Sequence, residues 1–254
     1  MHQDLQKASL WKRISAYLFD VILLATLAVG IAFVLSSVLG YDDYTAKRAA
    51  LRHEYEVSNG VSFDMDQEEY EKLHEGDRER IDAAYAEFAR DPEVRRIDAL
   101  IINLSLLITV FSILIPFLLL EFIVPILFGH GRTLGKKIFG VAIMRVDGVK
   151  ISSIQLFVRA LLGKYTLETM LPIFLLFLLL LNAMPLVSVA GLALLLTLQL
   201  ATILFSAHHS PLHDAISGTV AVDYASQMIF NSPEAALEYA KKKHAEDAQR
   251  AEYR

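Results

Sequence analysis

Long runs of apolar residues alternate with polar segments along this chain of 254 residues. The first run, residues 14–39, contains a single charge and is long enough to cross a hydrocarbon layer of about 30 Å. A second run covers residues 99–128. A third apolar stretch, residues 171–205, is too long for one crossing and is interrupted by Asn182-Ala-Met-Pro185. We therefore predict four transmembrane helices, at residues 14–39, 99–128, 166–182 and 185–206.

The connection between the first two runs, residues 40–98, is hydrophilic, with 9 Lys and Arg residues and 17 Asp and Glu residues. Asp91-Pro92-Glu93 is typical of a helix start, and that helix would run directly into the second apolar run. A partner-binding or cation-attracting domain is one interpretation of this acidic segment, and a solvated helical loop is the one we favour. Apolar residues at spacings near three, four and seven indicate the helices: Tyr70, Leu73, Ile81, Tyr85 and Phe88.

Between the second and third runs, residues 129–165 combine a predicted β-hairpin with a predicted amphipathic helix. Residues 139–146 and 149–152 favour strands, and Asp147-Gly148 between them is a type I′ turn signal. Apolar side chains then recur with a helical period over residues 154–165, which predicts a separate helix lying in the membrane interface. A further predicted strand at residues 216–224 could pair with the hairpin, and a tail helix is expected to begin at Ser232-Pro233-Glu234.

Basic residues are concentrated in the segments that we assign to the cytoplasm. Residues 129–165 contain seven Lys and Arg residues and one Asp, and the segments 1–13 and 207–254 also have basic clusters near membrane ends. Because cytoplasmic loops are enriched in Lys and Arg, we predict that both termini are cytoplasmic and that residues 40–98 form an extracytoplasmic loop. The fold class is therefore an all-α membrane protein with four transmembrane helices, a small cytoplasmic β-hairpin and an interfacial amphipathic helix.

The residue types exclude several kinds of chemistry. The chain has no cysteine, so disulfides, thiolate metal sites and cysteine nucleophiles are excluded. Residues 131–137 are glycine-rich but lack the Walker spacing of a nucleotide site. A metal shared by His209 and His213 is disfavoured because Pro211 interrupts the helix it would need. We expect His213 instead to orient Asp214 through a hydrogen bond.

No catalytic triad, glycosidase pair or nucleic-acid-binding module is recognisable in the sequence. We therefore predict a protein that is not an enzyme and has no cofactor, no metal and no nucleic-acid partner. Membrane lipid, including anionic headgroups, is the expected partner. Arg132, Lys136 and Lys137 would meet either such headgroups or a carboxylate such as Asp214.

Charges inside the apolar runs are the first candidate functional residues. An aspartate such as Asp20 within a spanning helix costs roughly 2.5–3.5 kcal/mol on insertion scales, and Arg13 lies two helical turns before it on the same face. Glu121 lies in the second run, between Pro116 and Pro125. A cation or proton site and an ion pair that fixes helix packing are both compatible with these positions.

Three separated motifs are similar to those of one known family: Trp11-Lys12-Arg13-Ile-Ser-Ala-Tyr-Leu-Phe-Asp20, Gly131-Arg132-Thr133-Leu134-Gly135-Lys136-Lys137, and Leu212-His213-Asp214 followed by Gly218-Thr219-Val220. They resemble the signatures of the RDD family of membrane proteins, which is named for an arginine and two aspartates. The resemblance covers most of residues 8–225 and implies that Arg13, Asp20 and Asp214 are those residues. Two features depart from the family pattern: the acidic loop is longer, and His208-His209-Ser210 replaces a basic residue often found before the His-Asp pair.

The resemblance implies an integral membrane protein associated with transport, with no assigned substrate, and a bacterial inner membrane as its location. Our first hypothesis is exchange of an ion, a proton or a small solute. In it, Asp20 binds or relays a cation, Arg13 acts as a nearby positive charge, and Asp214 closes the cytoplasmic side. Because four helices rarely enclose a full pathway, a homo-oligomer is the expected assembly. The candidate polar cluster comprises Arg13, Asp20, Glu121, Arg132, His213 and Asp214.

The alternative hypothesis is a structural, regulatory or assembly membrane protein that transports nothing. In that case the same charges only fix the packing of the helices.

Overall fold

The computed structural model describes residues 5–206 and 210–252 and is 76% helical. Four of its helices are long and apolar enough to cross a membrane, which confirms the predicted fold class at that level. The four are α1, α5, α7 and α8 in the following order of elements. The helices are α1 (Leu10–Val38), α2 (Tyr41–Asn59), α3 (Gln67–Lys72), α4 (Glu75–Arg90), α5 (Pro92–Phe128), α6 (Leu134–Ile138), α7 (Ser153–Leu180), α8 (Pro185–Phe205), α9 (Leu212–Ser217) and α10 (Pro233–Glu252), and the strands are β1 (Val141–Arg145) and β2 (Thr219–Asp223).

The helix ends lie where the sequence signals placed them. Helix α1 ends just before Gly40, which has a left-handed backbone with φ of 68°. Asp91 accepts hydrogen bonds from the backbone N of Glu93 at 2.6 Å and of Val94 at 3.2 Å, and so caps the start of α5. The break between α7 and α8 includes Asn182, with φ of 51°.

Two of the long helices contain π-helical segments, Phe117–Ile123 in α5 and Val158–Met170 in α7. Helix α7 is continuous from its start, so the separate interfacial helix predicted at residues 154–165 is wrong. The segment is instead the first half of a long helix that also includes the predicted third span. The backbone hydrogen bonds continue past Tyr165 in the i→i+5 pattern, and no helix-ending residue interrupts them.

The two strands form an antiparallel pair in which Val141 lies opposite Asp223 and Arg145 opposite Thr219. The predicted pairing of residues 216–224 with the hairpin is thus confirmed. The hairpin itself is reduced: the Asp147-Gly148 turn is present, but residues 149–152 contribute an isolated bridge, Met144 to Lys150. Strand β2 pairs with all five residues of β1 on the edge opposite to this bridge, since Met144 pairs with both Val220 and Lys150.

The sheet is covered on both faces by apolar residues. Ala8, Ala16 and Leu156 pack with Val141 and Ile143 on one face. Leu5 and Ile229 pack on the other face. The segment before α1 therefore contacts the segments that follow α5 and α8, and an isolated bridge from Lys7 to Val222 extends the sheet.

The chain divides into two compact units, Met1–Ala28 with Ile113–Arg254 and Val29–Ser112. Within the second unit, Phe88 is buried against the rings of Tyr55 and Phe63, and Tyr55 donates a hydrogen bond of 2.7 Å to Asp91. The helices predicted in the hydrophilic connection are confirmed, and they surround a small apolar core of their own.

Apolar side chains cover the outside of the long helices. Phe33, Leu186 and Phe205 are 76%, 82% and 84% exposed, respectively. Contiguous apolar helix surface of this kind is unfavourable in water and is suited to lipid, in which a helix satisfies its own backbone polar groups. A group of polar and charged side chains in the first unit, among them Asp20, Glu121, Arg159 and Asp214, lies instead in its interior.

Candidate functional site

Asp20 attaches helix α1 to the short helix α6. Its carboxylate is 8% exposed, and it accepts hydrogen bonds from the Thr133 hydroxyl and from the backbone N of Gly135, the latter at 2.8 Å. Thr133 also caps α6, because its hydroxyl accepts a hydrogen bond from the backbone N of Lys136 at 3.3 Å. Asp20, to which the family resemblance points, therefore has its partners in the glycine-rich segment at residues 131–137.

The approach of α1 to α6 leaves room only for small residues. A Cβ atom on Gly135 would lie 2.3 Å from the carbonyl oxygen of Ala16 and 2.9 Å from Oδ1 of Asp20. Ala16 is itself 1% exposed. Glycine at position 135 is therefore needed for the contact that Asp20 makes.

Lys136 lies between two buried carboxylates from different helices. Its ammonium is 3.6 Å from Oδ2 of Asp20 on α1 and 3.9 Å from Oε2 of Glu121 on α5. Burial lowers the pKa of Lys136 to about 8, because lost hydration disfavours the ammonium more than the nearby carboxylates of Glu121 and Asp20 favour it. Lys136 can therefore gain and lose a proton near physiological pH.

Glu121 is 4% exposed and has a second cationic neighbour. Lys164, from the π-helical part of α7, donates a hydrogen bond of 2.6 Å to Oε1. The other oxygen, Oε2, has no hydrogen-bond partner among the described residues, and the Lys136 ammonium is the charge near it. Glu121 thus links α5 to both α6 and α7.

Asp214 forms the most deeply buried ion pair of the site. Nε of Arg159 donates to Oδ1 of Asp214 at 2.7 Å, and the Thr219 hydroxyl donates to the same oxygen at 2.8 Å. Arg159 is 3% exposed and Asp214 is 1% exposed. Burial would raise the pKa of Asp214, but the attraction of Arg159 outweighs it and holds this pKa well below its usual range.

His213 contacts Glu168 of α7 rather than Asp214. Its Nδ1 is 2.8 Å from Oε2 of Glu168, and its backbone N donates to Oε1 at 3.0 Å. Nε2 is 3.7 Å from Oδ2 of Asp214, too far for a hydrogen bond. The expectation that His213 orients Asp214 is therefore wrong, because Arg159 and Thr219 fill that role. Burial lowers the pKa of His213, which favours the neutral ring.

Arg13 shares a helix face with Asp20 but does not contact it. Its side chain is partly buried and makes no ion pair or hydrogen bond with the described residues. It lines a cavity of about 480 Å³ in the first unit. The expected action of Arg13 on Asp20 is therefore replaced by that of Lys136, for which the sequence left a lipid headgroup or a carboxylate as the partner.

Arg132 lies outside the cluster. It donates a hydrogen bond of 3.0 Å to the carbonyl oxygen of Phe128, the last residue of α5, and its guanidinium lies 4.1 Å from the ring centroid of Tyr224. It therefore caps a helix C-terminus, a favourable place for a cation, and does not pair with Asp214.

Sequence analysis missed Arg159, Lys164 and Glu168 as members of the site. On an α-helix, Arg159 and Lys164 are five residues apart and would face different directions. In the i→i+5 pattern of a π-helix, residues five apart lie on about the same face of the helix. The guanidinium of Arg159 and the ammonium of Lys164 therefore both point to the interior. The signal in the sequence that could have indicated these three residues was the presence of their charges within an otherwise apolar run.

The described residues contain no group of three or more His, Asp or Glu side chains that could hold a metal. His209, which was considered with His213 as a metal ligand pair, lies outside the described residues. Apart from Arg13, the charged groups of the site are instead paired with one another. Arg13, Lys136, Arg159, Lys164, Glu168, His213 and Asp214 all line the cavity.

These features define a class of protein: a multi-pass α-helical membrane protein with a buried charge cluster inside its helical unit. The chain belongs to the RDD family, whose sequence model matches residues 7–218. Searches of curated proteins and of solved structures find no match.

Proposed function

We propose that this protein is a proton-coupled membrane transporter that exchanges an ion or a small solute. The observation that supports this proposal is the position of Lys136, between the carboxylates of Asp20 and Glu121 and at the wall of a cavity. A buried amine with a pKa near neutral can load and release a proton within a transport cycle. Intramembrane ionisable residues commonly mark such pathways.

The charge of Lys136 determines the charge of its surroundings. With the proton bound, the ammonium partly neutralises Asp20 and Glu121. Without it, Glu121 retains Lys164 as a direct ionic partner, whereas Asp20 has no other cationic partner among the described residues. Proton loss therefore makes this part of the site more negative and changes its affinity for a charged solute. This is the coupling that we propose between proton and solute.

The packing of the polar segments that flank the long helices supports the placement of three of these segments on one side of the membrane. If each long helix crosses once, the segment before α1, the connection between α5 and α7, and the segment after α8 must share one side, because they pack together around the sheet. Residues 129–152 have five basic residues and one acidic residue, which favours the cytoplasm. We assign the helices α2–α4 to the opposite side of a bacterial inner membrane.

This topology is tested with single cysteines, since the chain has none of its own. A membrane-impermeant maleimide applied from outside to intact cells is expected to label Ser58→Cys in α2 and to spare Ser152→Cys before α7. Labelling of Ser152→Cys alone would reverse the orientation. Labelling of both cysteines would contradict the placement of Ser58 and Ser152 on opposite sides of the membrane.

Transport is tested in proteoliposomes that contain a pH-sensitive dye. Addition of alkali cations or short carboxylates to the native protein is expected to change the internal pH, and Asp20→Asn is expected to slow this change at least tenfold. Asp147→Asn is the matched control, because Asp147 pairs with Arg145 at an exposed turn. Thermal unfolding of each variant in detergent verifies that it is folded.

The structural alternative is also supported by an observation: each carboxylate of the cluster has a polar partner in the described part of the chain. If the folded native protein moves none of the solutes and no protons, the charges only hold helices together and the transport proposal fails. A homo-oligomer would supply further helices for a pathway, and its formation is a part of our proposal.

A further inference from the structure

We propose that the cavity binds an organic anion, with a carboxylate or phosphate head and a short apolar body, and that Arg13 is the residue that recognises the head. This deepens the proposed transport function, on which it rests, because it assigns the class of the solute.

Positive charges predominate on the cavity wall. Four lining residues are cationic, Arg13, Lys136, Arg159 and Lys164, whereas two are carboxylates, Glu168 and Asp214. The carboxylates Asp20 and Glu121, which pair with the two lysines, are not part of the lining. The other three cations are paired with carboxylates, so Arg13 is the uncompensated positive charge that a ligand meets among the described lining residues.

The two lining carboxylates are already occupied. Asp214 accepts hydrogen bonds from Arg159 and Thr219, and Glu168 contacts the ring and the backbone N of His213. Asp214 is thereby neutralised by Arg159, and both oxygens of Glu168 are engaged by the hydrogen-bonding groups of His213. The cavity is consequently poorly suited to an organic cation.

Arg13 is the lining cation without a side-chain partner in the described part of the chain. A guanidinium presents several N–H donors in one plane and matches the two oxygens of a carboxylate or phosphate. Arg159 contacts Asp214 through Nε, so its two terminal nitrogens remain outside that bond. Arg13 therefore offers the primary contact for an anionic head.

Most of the remaining lining is apolar and sets the nature of the ligand's body. Leu10, Ile14, Val141, Ile143 and Ile203 are among the lining residues. A volume of about 480 Å³ lies within the range of small-molecule sites, roughly 300–1,000 Å³. Inorganic phosphate would leave most of this apolar surface without contacts, and a short aliphatic anion would cover it.

Binding is measured by isothermal titration of the full chain in phosphatidylcholine nanodiscs at pH 7, with empty nanodiscs as the blank. Hexanoate, hexanol and hexylammonium share one apolar body and differ in their head. We expect saturable binding of hexanoate, at least tenfold tighter than that of the other two. Equal binding of hexanol, or tighter binding of hexylammonium, would overturn the proposal.

Variants assign the contact to Arg13. Arg13→Gln is expected to weaken hexanoate binding at least tenfold and Arg13→Lys to weaken it less. The matched control Arg145→Gln, at an exposed ion pair, is expected to bind as the native protein does. Because the Arg13 side chain has no described partner, its substitution should leave the thermal unfolding unchanged. Native affinity in folded Arg13→Gln would contradict the proposal.

The source of the anion is distinguished by a second lipid composition. If phosphatidylglycerol in the nanodisc competes with hexanoate in the native protein, the occupant in a membrane is a lipid headgroup with part of its chain. If it does not compete, the occupant is a soluble organic anion. Hexanoate binding without any flux would retain this site and reject transport, whereas flux without hexanoate binding would reject the site and retain transport.

Discussion

Replacing Arg159 with methionine is expected to lower the free energy of unfolding by about 3–5 kcal/mol, the typical effect of removing one partner of a buried ion pair. Asp214 is 1% exposed, and it would lose its ionic partner while retaining only the hydroxyl of Thr219 as a strong donor. Chemical or thermal unfolding in detergent measures this loss. The variant Asp214→Asn is expected to be destabilised for the converse reason, since Arg159 would remain charged and buried.

The double variant Arg159→Met with Asp214→Asn shows whether the loss of stability comes from the broken ion pair or from lost packing contacts. It is expected to be more stable than either single variant, because neither side chain is then left with an uncompensated charge. Arg145→Met is the matched control: its pair with Asp147 has a similar length of 2.6 Å but is exposed, so the expected loss is about 0–1 kcal/mol. Equal losses at Arg159 and Arg145 would contradict the burial of the pair.

Much of the fold could be predicted from local signals in the sequence. The apolar runs indicated four long helices, Asp91-Pro92 placed the start of α5, and Asn182 to Pro185 placed the break between α7 and α8. These features depend on hydropathy and on backbone preferences of neighbouring residues, which are readable along the chain. The strand at residues 219–223 was likewise visible from its β-branched residues.

The side-chain partners could not be predicted in the same way. Arg13 and Asp20 do share a face of α1, but the partners of Asp20 come from residues 133–136, more than a hundred positions away. Arg159 and Lys164 were concealed because the assumed α-helical period does not apply to a π-helix. The composition of the site depends on contacts between residues distant in sequence and on the change from α-helical to π-helical hydrogen bonding in α7.

The three residues to which the resemblance assigns the family's arginine and two aspartates have separate positions in the site. Asp20 binds the turn before α6, and Asp214 binds Arg159 of α7. Arg13 faces the cavity without a described partner. Two of them therefore hold the helices in place, and the third is available to a ligand, which explains how one cluster could combine packing with recognition.

Lys136 joins these parts, since it contacts the pair Asp20 and Glu121 and also lines the cavity. Its pKa, lowered to about 8 by burial, means that the ammonium is mostly charged below pH 8 and mostly neutral above it. If the proton-loaded form transports the solute, the exchange rate must fall as the pH rises through about 8. Arginine at this position would remain charged throughout that range.

The measurement is the rate of solute exchange in proteoliposomes with equal pH on both sides, at pH values from about 6.5 to 9.5. The native protein and the control Lys137→Arg, whose side chain is exposed, are expected to lose most of their rate between about pH 7.5 and 8.5. Folded Lys136→Arg is expected to show no change of rate in that interval, whatever its absolute rate. A native-like fall in rate near pH 8 in folded Lys136→Arg would contradict the assignment of the coupling proton to Lys136.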